Sequence, residues 1–182
     1  ILFCAACDYA ANAERATFTL PDAPEEAELP LEEVATPGAT TIAEVATYLK
    51  VPESKTLKAV FYWASDRVAF VVIRGDMDVN EIKLSNALHA SDLRLASDEE
   101  VAQAGLVAGS ASPVGLEGVK VLADESIQNG SNFVVGANRP GYHLCNANYP
   151  RDFQVDLITD IALAQEGFGC PVCGTPLEST RG

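Results

Sequence analysis

Two Cys-x-x-Cys pairs, Cys4/Cys7 near one end and Cys170/Cys173 near the other, constrain this chain more than any other feature. A two-residue spacing lets a tight turn direct both sulfurs at one ion, and two such pairs complete a tetrahedral set of soft ligands. A fold in which they share an ion must bring its two ends together. Gly174, directly after Cys173, lets backbone N–H groups approach the thiolates. One pair alone would compete with a redox dithiol; two pairs favour structural zinc. The alternative is a set of unrelated buried thiols, since free cysteine often behaves as a small hydrophobe. Closing a loop of this length costs an unfolded chain roughly 4–5 kcal/mol in entropy, so a metal clip would help fasten the ends. Cys145 stands alone in a strand-like run and is expected in the core, not as a fifth ligand. An odd number of cysteines fits a disulfide framework poorly and favours a reducing, cytoplasmic setting. No apolar run approaches membrane-spanning length, and "ILFCAAC" lacks the basic flank and length of a secretory signal. The missing initial Met points to a segment of something larger.

With 182 residues, 48% of them hydrophobic, the chain can bury one substantial core. Its formal charge of −14 argues against a freestanding nucleic-acid binder, because phosphates are held by clustered Lys and Arg. Any such substrate must be held locally. "LPDAPEEAELPLEE" crowds prolines and carboxylates together and reads as a solvated connector. In "TTIAEVATYLKVP", Thr41 and Glu44 have capping-box spacing, and Ile42, Val45, Ala46 and Leu49 share one helical face. "TLKAVFYWA" and "RVAFVVIRG" flank "SD" as the strands of a buried hairpin. "DVNEIKLSNAL" reads as a helix capped by Asp78, "DLRLA" as a strand, and "SDEEVAQAG" as a helix with a Ser97–Glu100 capping box. "GSASPVGLEG" is a loop, while "VKVLAD", "NFVVGAN" and "YHLCNANY" read as strands between turns. No internal repeat is visible. The alternation predicts an α+β (mixed α/β) fold with a single mixed sheet flanked by helices.

Taken in order, "CDYAANAERA", "VIRGDMDVNEIKL", "VVGANRPGYHL" and "CPVCGTPLESTRG" resemble the insertion (editing) domain of bacterial prolyl-tRNA synthetases over almost the whole chain. Freestanding YbaK-like deacylases share that fold, but their pattern includes neither the cysteine pairs nor "YAAN". The resemblance implies a YbaK-like domain over residues 36–164; the acidic composition marks a linker over 21–35, and the four cysteines would join boundary segments 1–20 and 165–182 in one metal knuckle. It also implies hydrolysis of alanine wrongly attached to the proline tRNA. A proline-sized activation pocket cannot exclude the smaller alanine, and each missing methylene gives only about 1–3 kcal/mol of discrimination, so a second sieve restores fidelity. The implied partners are the acceptor end of Ala-tRNA(Pro) and the rest of a parent synthetase, itself expected to be a homodimer. No membrane partner and no catalytic metal are expected.

By the same resemblance the family's essential lysine falls on Lys58, preceded by Thr56. An ammonium there can hold a phosphate oxygen or balance charge developing during ester cleavage. Read alone, Lys58 is a solvated strand lysine, and Lys55 is its nearest rival. The family's Gly-x-x-x-Pro loop matches Gly109, Ser110, Ala111, Ser112 and Pro113, whose backbone N–H groups can cradle a carbonyl or oxyanion, although ordinary turns hold the same residues. His143 is implied to set pocket size and alanine selection, and Asp124 to orient the substrate ammonium or a pocket partner. Gly136 to Asn138 shapes the pocket wall. Ala59 stands where the family often has threonine and Met77 where histidine is common, so hydroxyl or imidazole help at those places is absent. With no Ser-His-Asp order, direct attack by water is expected, assisted by the terminal ribose hydroxyl of the tRNA.

Two other classes of function fit parts of the sequence. A non-catalytic zinc-stabilised module binding RNA or protein is supported by the cysteines and opposed by the acidic balance, although seven of the twelve basic residues fall between Lys50 and Arg94. A zinc hydrolase is disfavoured, because four thiolates leave no open position for water.

Overall fold

The structure is a computed structural model that describes residues 1–181. In chain order its strands and helices are β1 (Leu2–Phe3), β2 (Ala10–Ala11), β3 (Glu32–Ala35), α1 (Ile42–Leu49), β4 (Leu57–Ala64), β5 (Arg67–Arg74) and α2 (Glu81–Leu88). There follow β6 (Leu93–Leu95), α3 (Asp98–Gln103), β7 (Val121–Asp124), β8 (Phe133–Gly136), β9 (Tyr142–Ala147), β10 (Leu157–Thr159) and β11 (Glu178–Ser179).

The β4–β5 hairpin is the centre. It pairs from Leu57↔Arg74 to Ala64↔Arg67 within a five-stranded sheet of order β10-β7-β5-β4-β6, in which β5, β7 and β10 are parallel and β6 is antiparallel to β4. Phe70, Val71, Val72 and Ile73 of β5 are all buried, as an unbroken apolar run requires when both faces of a sheet are covered. One face packs Leu57, Phe70, Val72 and Ala123 against Phe133 and Val135; the other packs Tyr62, Val71 and Leu122 against Leu84 of α2 and Ile161.

The mixed α+β class holds, with one refinement. Strands β8 and β9, expected in the same sheet, form a separate antiparallel sheet with β3, in the order β3-β9-β8. Alternation marks a strand as half-buried without saying which edge it joins. β3 also lies inside the acidic stretch expected as a connector. Most of that stretch is exposed, but Asn129 and Asn132 accept its N–H groups at Ala23 and Leu29, and its end pairs with β9.

Helix α1 has the expected capping box, with both Thr41 and Glu44 engaged, and α3 has its own from Ser97 and Glu100. The cap of α2 needs correction: it is Asn80, whose Oδ1 accepts from Ile82 N and Lys83 N, and not Asp78. Asn caps as well as Asp, and Asn80 is oriented by donating its own amide to Glu14 O. Asp78 is thereby free for another use.

The chain ends meet in a third small sheet of order β11-β1-β2, where the Ile1 ammonium donates to Thr180 O at 3.0 Å. Phe18 and Phe168, with centroids 4.7 Å apart, cover Ile73 and Met77 and fasten this terminal layer to the main core. Met77, standing where the resemblance leads one to expect histidine, is fully buried. Cys145 is half-buried beside the packed Ala39, Val45 and Val134. Among the described residues no helix is long and apolar enough to cross a membrane.

Candidate active site and metal centre

A cavity of about 160 Å³ opens where α1, the start of β4, the loop before β7 and the second sheet converge. Ile42, Val45, Phe61 and Val134 supply apolar wall; Thr56, Lys58, Gly109, Ala111, Gly136 and His143 also line it. Six residues singled out from the sequence therefore share one hollow.

Each is placed by an identifiable contact. Thr56 Oγ1 donates to Glu53 O at 2.7 Å, and Gly75 makes room for it: a Cβ on Gly75 would stand 1.9 Å from that oxygen. By strand alternation Lys58 shares a face with Val60 and Tyr62, toward the turn entering α2, and its Nζ lies 3.2 Å from Asp78 Oδ1. Lys55, the rival, is committed elsewhere, donating to Glu26 Oε2 at 2.7 Å and Ser131 O at 2.8 Å.

The loop of Gly109–Pro113 is held by the segment after β8. Asn138 N donates to Ser110 O and Asn138 Oδ1 accepts from Ser112 N, both at 2.8 Å, while its Nδ2 donates to Val114 O at 3.2 Å. Ser112 and Pro113 are buried and support the wall from behind, with Ser112 Oγ accepting from Val114 N. Ser110, Ser112, Pro113 and Asn138 thus brace the cavity without lining it. Gly136 lies so close that a Cβ there would meet Ala111 O at 2.4 Å and Ser110 O at 2.6 Å. Neither atom is the end of a flexible side chain. Gly136→Ala is expected to push the loop outward and to lower the unfolding free energy by about 1–3 kcal/mol, the usual range for overpacking, read from the midpoint of a denaturant titration.

The His143 ring is fixed by a 2.6 Å contact between its Nδ1 and Oγ1 of the buried Thr36. Burial pushes its pKa below the ordinary value of 6.5, so the ring facing the cavity is neutral at pH 7. Thr36 and Asp78 are the site residues that the sequence did not flag. Thr36 precedes a proline with no pattern of its own, and Asp78 was expected to serve a helix.

Asp124 is not brought to this cavity. Its two oxygens accept backbone N–H groups at 2.9 Å, from Ile161 and Ser126, so the buried carboxylate fastens the chain after β10 to the turn after β7. A larger depression of about 670 Å³ lies between residues 22–27 and 128–131, but Asp22, Glu25 and Glu26 line it and repel phosphate.

At the other end of the molecule the Sγ atoms of Cys4, Cys7, Cys170 and Cys173 all lie within 4.8 Å of one another. The contacts Cys4–Cys173, Cys7–Cys170 and Cys7–Cys173 are 3.5, 3.6 and 3.7 Å. A tetrahedron with metal–sulfur bonds of about 2.3 Å has edges of about 3.8 Å, so the four sulfurs fit one ion. The two halves match: Ala6 N donates to Cys4 Sγ and Val172 N to Cys170 Sγ, each at 3.4 Å, and Gly174 takes φ +76°. Thr175, through its hydroxyl and then its backbone, holds the Cys173 thiol down to about 6. All five cysteines are free thiols.

The sequence profile of the aminoacyl-tRNA editing domain matches residues 36–153. Over its full length the chain is 56% identical to the proline–tRNA ligase of Dehalococcoides mccartyi strain CBDB1 and 46% identical to that of Desulforamulus reducens, spanning 32% of the length of each. Among solved structures, one described as a proposed trans-editing enzyme for prolyl tRNA synthetase superposes with TM-score 0.63 at 18% identity, covering 74% of this chain and 87% of that one. A hypothetical protein superposes with TM-score 0.62 at 23% identity, covering 74% and 92%. These two share the fold.

Proposed function

Since the chain belongs to the aminoacyl-tRNA editing domain family, we propose that it is the editing domain of a proline–tRNA ligase and hydrolyses Ala-tRNA(Pro) to alanine and tRNA(Pro). The observation that carries this reading is the hollow beside Lys58. At about 160 Å³ it falls below the roughly 300–1,000 Å³ of pockets for drug-sized ligands, which suits a methyl side chain on a short ester. Apolar wall from Ile42, Val45 and Val134 receives the methyl group. His143, neutral and fixed by Thr36, bounds the space that a pyrrolidine ring would need.

The chemistry follows from position and charge. Water attacks the ester carbonyl, the terminal ribose hydroxyl of the tRNA assists, and the carbonyl oxygen gains negative charge in the tetrahedral intermediate. The backbone N–H groups of Gly109 and Ala111, which line the cavity in a loop braced by Asn138 and Gly136, stabilise that oxygen, and the Lys58 ammonium balances it or a neighbouring phosphate. Asp124 contributes by holding the fold. Cys4, Cys7, Cys170 and Cys173 would hold a structural zinc ion, which would supply cross-linking of the two chain ends.

The test is to incubate the protein with alanyl- and prolyl-charged proline tRNA. Alanine should be released at least about tenfold faster, the low end of what a single methylene discriminates. Equal release of both amino acids, or binding without hydrolysis, would defeat the proposal.

A further inference from the structure

We propose that Asp78 is a positioning residue for Lys58, fixing where the ammonium of this cavity-lining residue stands; this rests on the reading of Lys58 given above. Asp78 is the only ion-pair partner of Lys58 among the described residues, at 3.2 Å through Oδ1. Its second oxygen lies 3.4 Å from Gln165 Nε2, so the carboxylate is held from both sides.

Exposed ion pairs usually contribute little, because two long side chains must be ordered at once. Here one partner is already ordered, despite the 67% exposure of the Asp78 side chain. Asp78 O accepts Leu163 N at 2.8 Å, Val79 bridges Ala162, and Asn80 N donates to Ile161 O at 2.7 Å. The turn carrying Asp78 is therefore stitched to the segment after β10, and only the lysine remains to be fixed. A lysine has a flexible four-carbon stem, and displacing a catalytic group by about 1 Å can cost on the order of 100-fold in rate. Asp78 restricts that stem.

The experiment uses the full chain with Asp78→Asn, Asp78→Glu and Lys58→Met, alone and combined. Asp78→Asn should lower kcat for alanyl-tRNA hydrolysis about tenfold with KM changed less than about twofold, and Asp78→Glu should recover most of the loss. In thermal unfolding, Asp78→Asn should lower the midpoint less in a Lys58→Met background than in the wild type, because the shared contact is already gone. Wild-type kcat in Asp78→Asn, or strictly additive unfolding midpoints, would overturn the proposal. Should the wild type not cleave alanyl-tRNA at all, the reading of the cavity falls, and the unfolding cycle still decides whether Asp78 holds Lys58.

Discussion

Lys58→Ala is expected to reduce alanyl-tRNA hydrolysis by at least about 100-fold, the loss seen when one preorganised charge-stabilising group is removed. The fold should survive the change. Lys58 is partly exposed and its pair with Asp78 is a surface pair, so unfolding free energy should move by less than about 1 kcal/mol. Single-turnover hydrolysis and thermal unfolding on the same preparation separate these effects. Undiminished turnover would remove Lys58 from the reaction. Lys55→Ala is the natural control, since that ammonium is spent on Glu26 and Ser131 O.

If the four cysteines hold an ion, as their spacing allows, chelating it should have the largest effect on stability. The clip joins residues 163 positions apart at Cys7 and Cys170, and releasing a loop of that size returns roughly 4–5 kcal/mol of entropy to the unfolded chain. For a domain of this size that corresponds to a melting point lowered by roughly 10–20 °C. Calorimetry with and without a chelator measures it. Cys173→Ser should imitate the chelator, whereas Cys145→Ser, remote from the cluster, should not. A melting curve indifferent to chelation would mean that the four sulfurs pack together without an ion.

Local chemistry made much of this structure legible in advance. The capping boxes at Thr41 and Ser97 and the β4–β5 hairpin are written in residues a few positions apart, and they form as expected. What escaped is carried by long-range pairing. Nothing near Glu32 announces that it lies opposite Cys145, so β3 reads as part of a connector. The Gly109–Pro113 and Gly136–Asn138 segments are each noticeable, but that Asn138 clasps Ser110 and, 26 positions away, Ser112 is a tertiary fact. Asp124 shows the opposite difficulty. Its position within the family resemblance suggested a pocket role, while its carboxylate accepts two backbone N–H groups and does not line the hollow. Asp78 was assigned to a helix start that Asn80 fills equally well, because capping propensity alone does not rank two good candidates two residues apart.

Because the first and last strands lie side by side in one sheet, the opening this unit would leave in a surrounding polypeptide is only about one strand spacing, roughly 5 Å. A surface turn elsewhere could accept the whole body, or lose it, with almost no rearrangement of its own flanks.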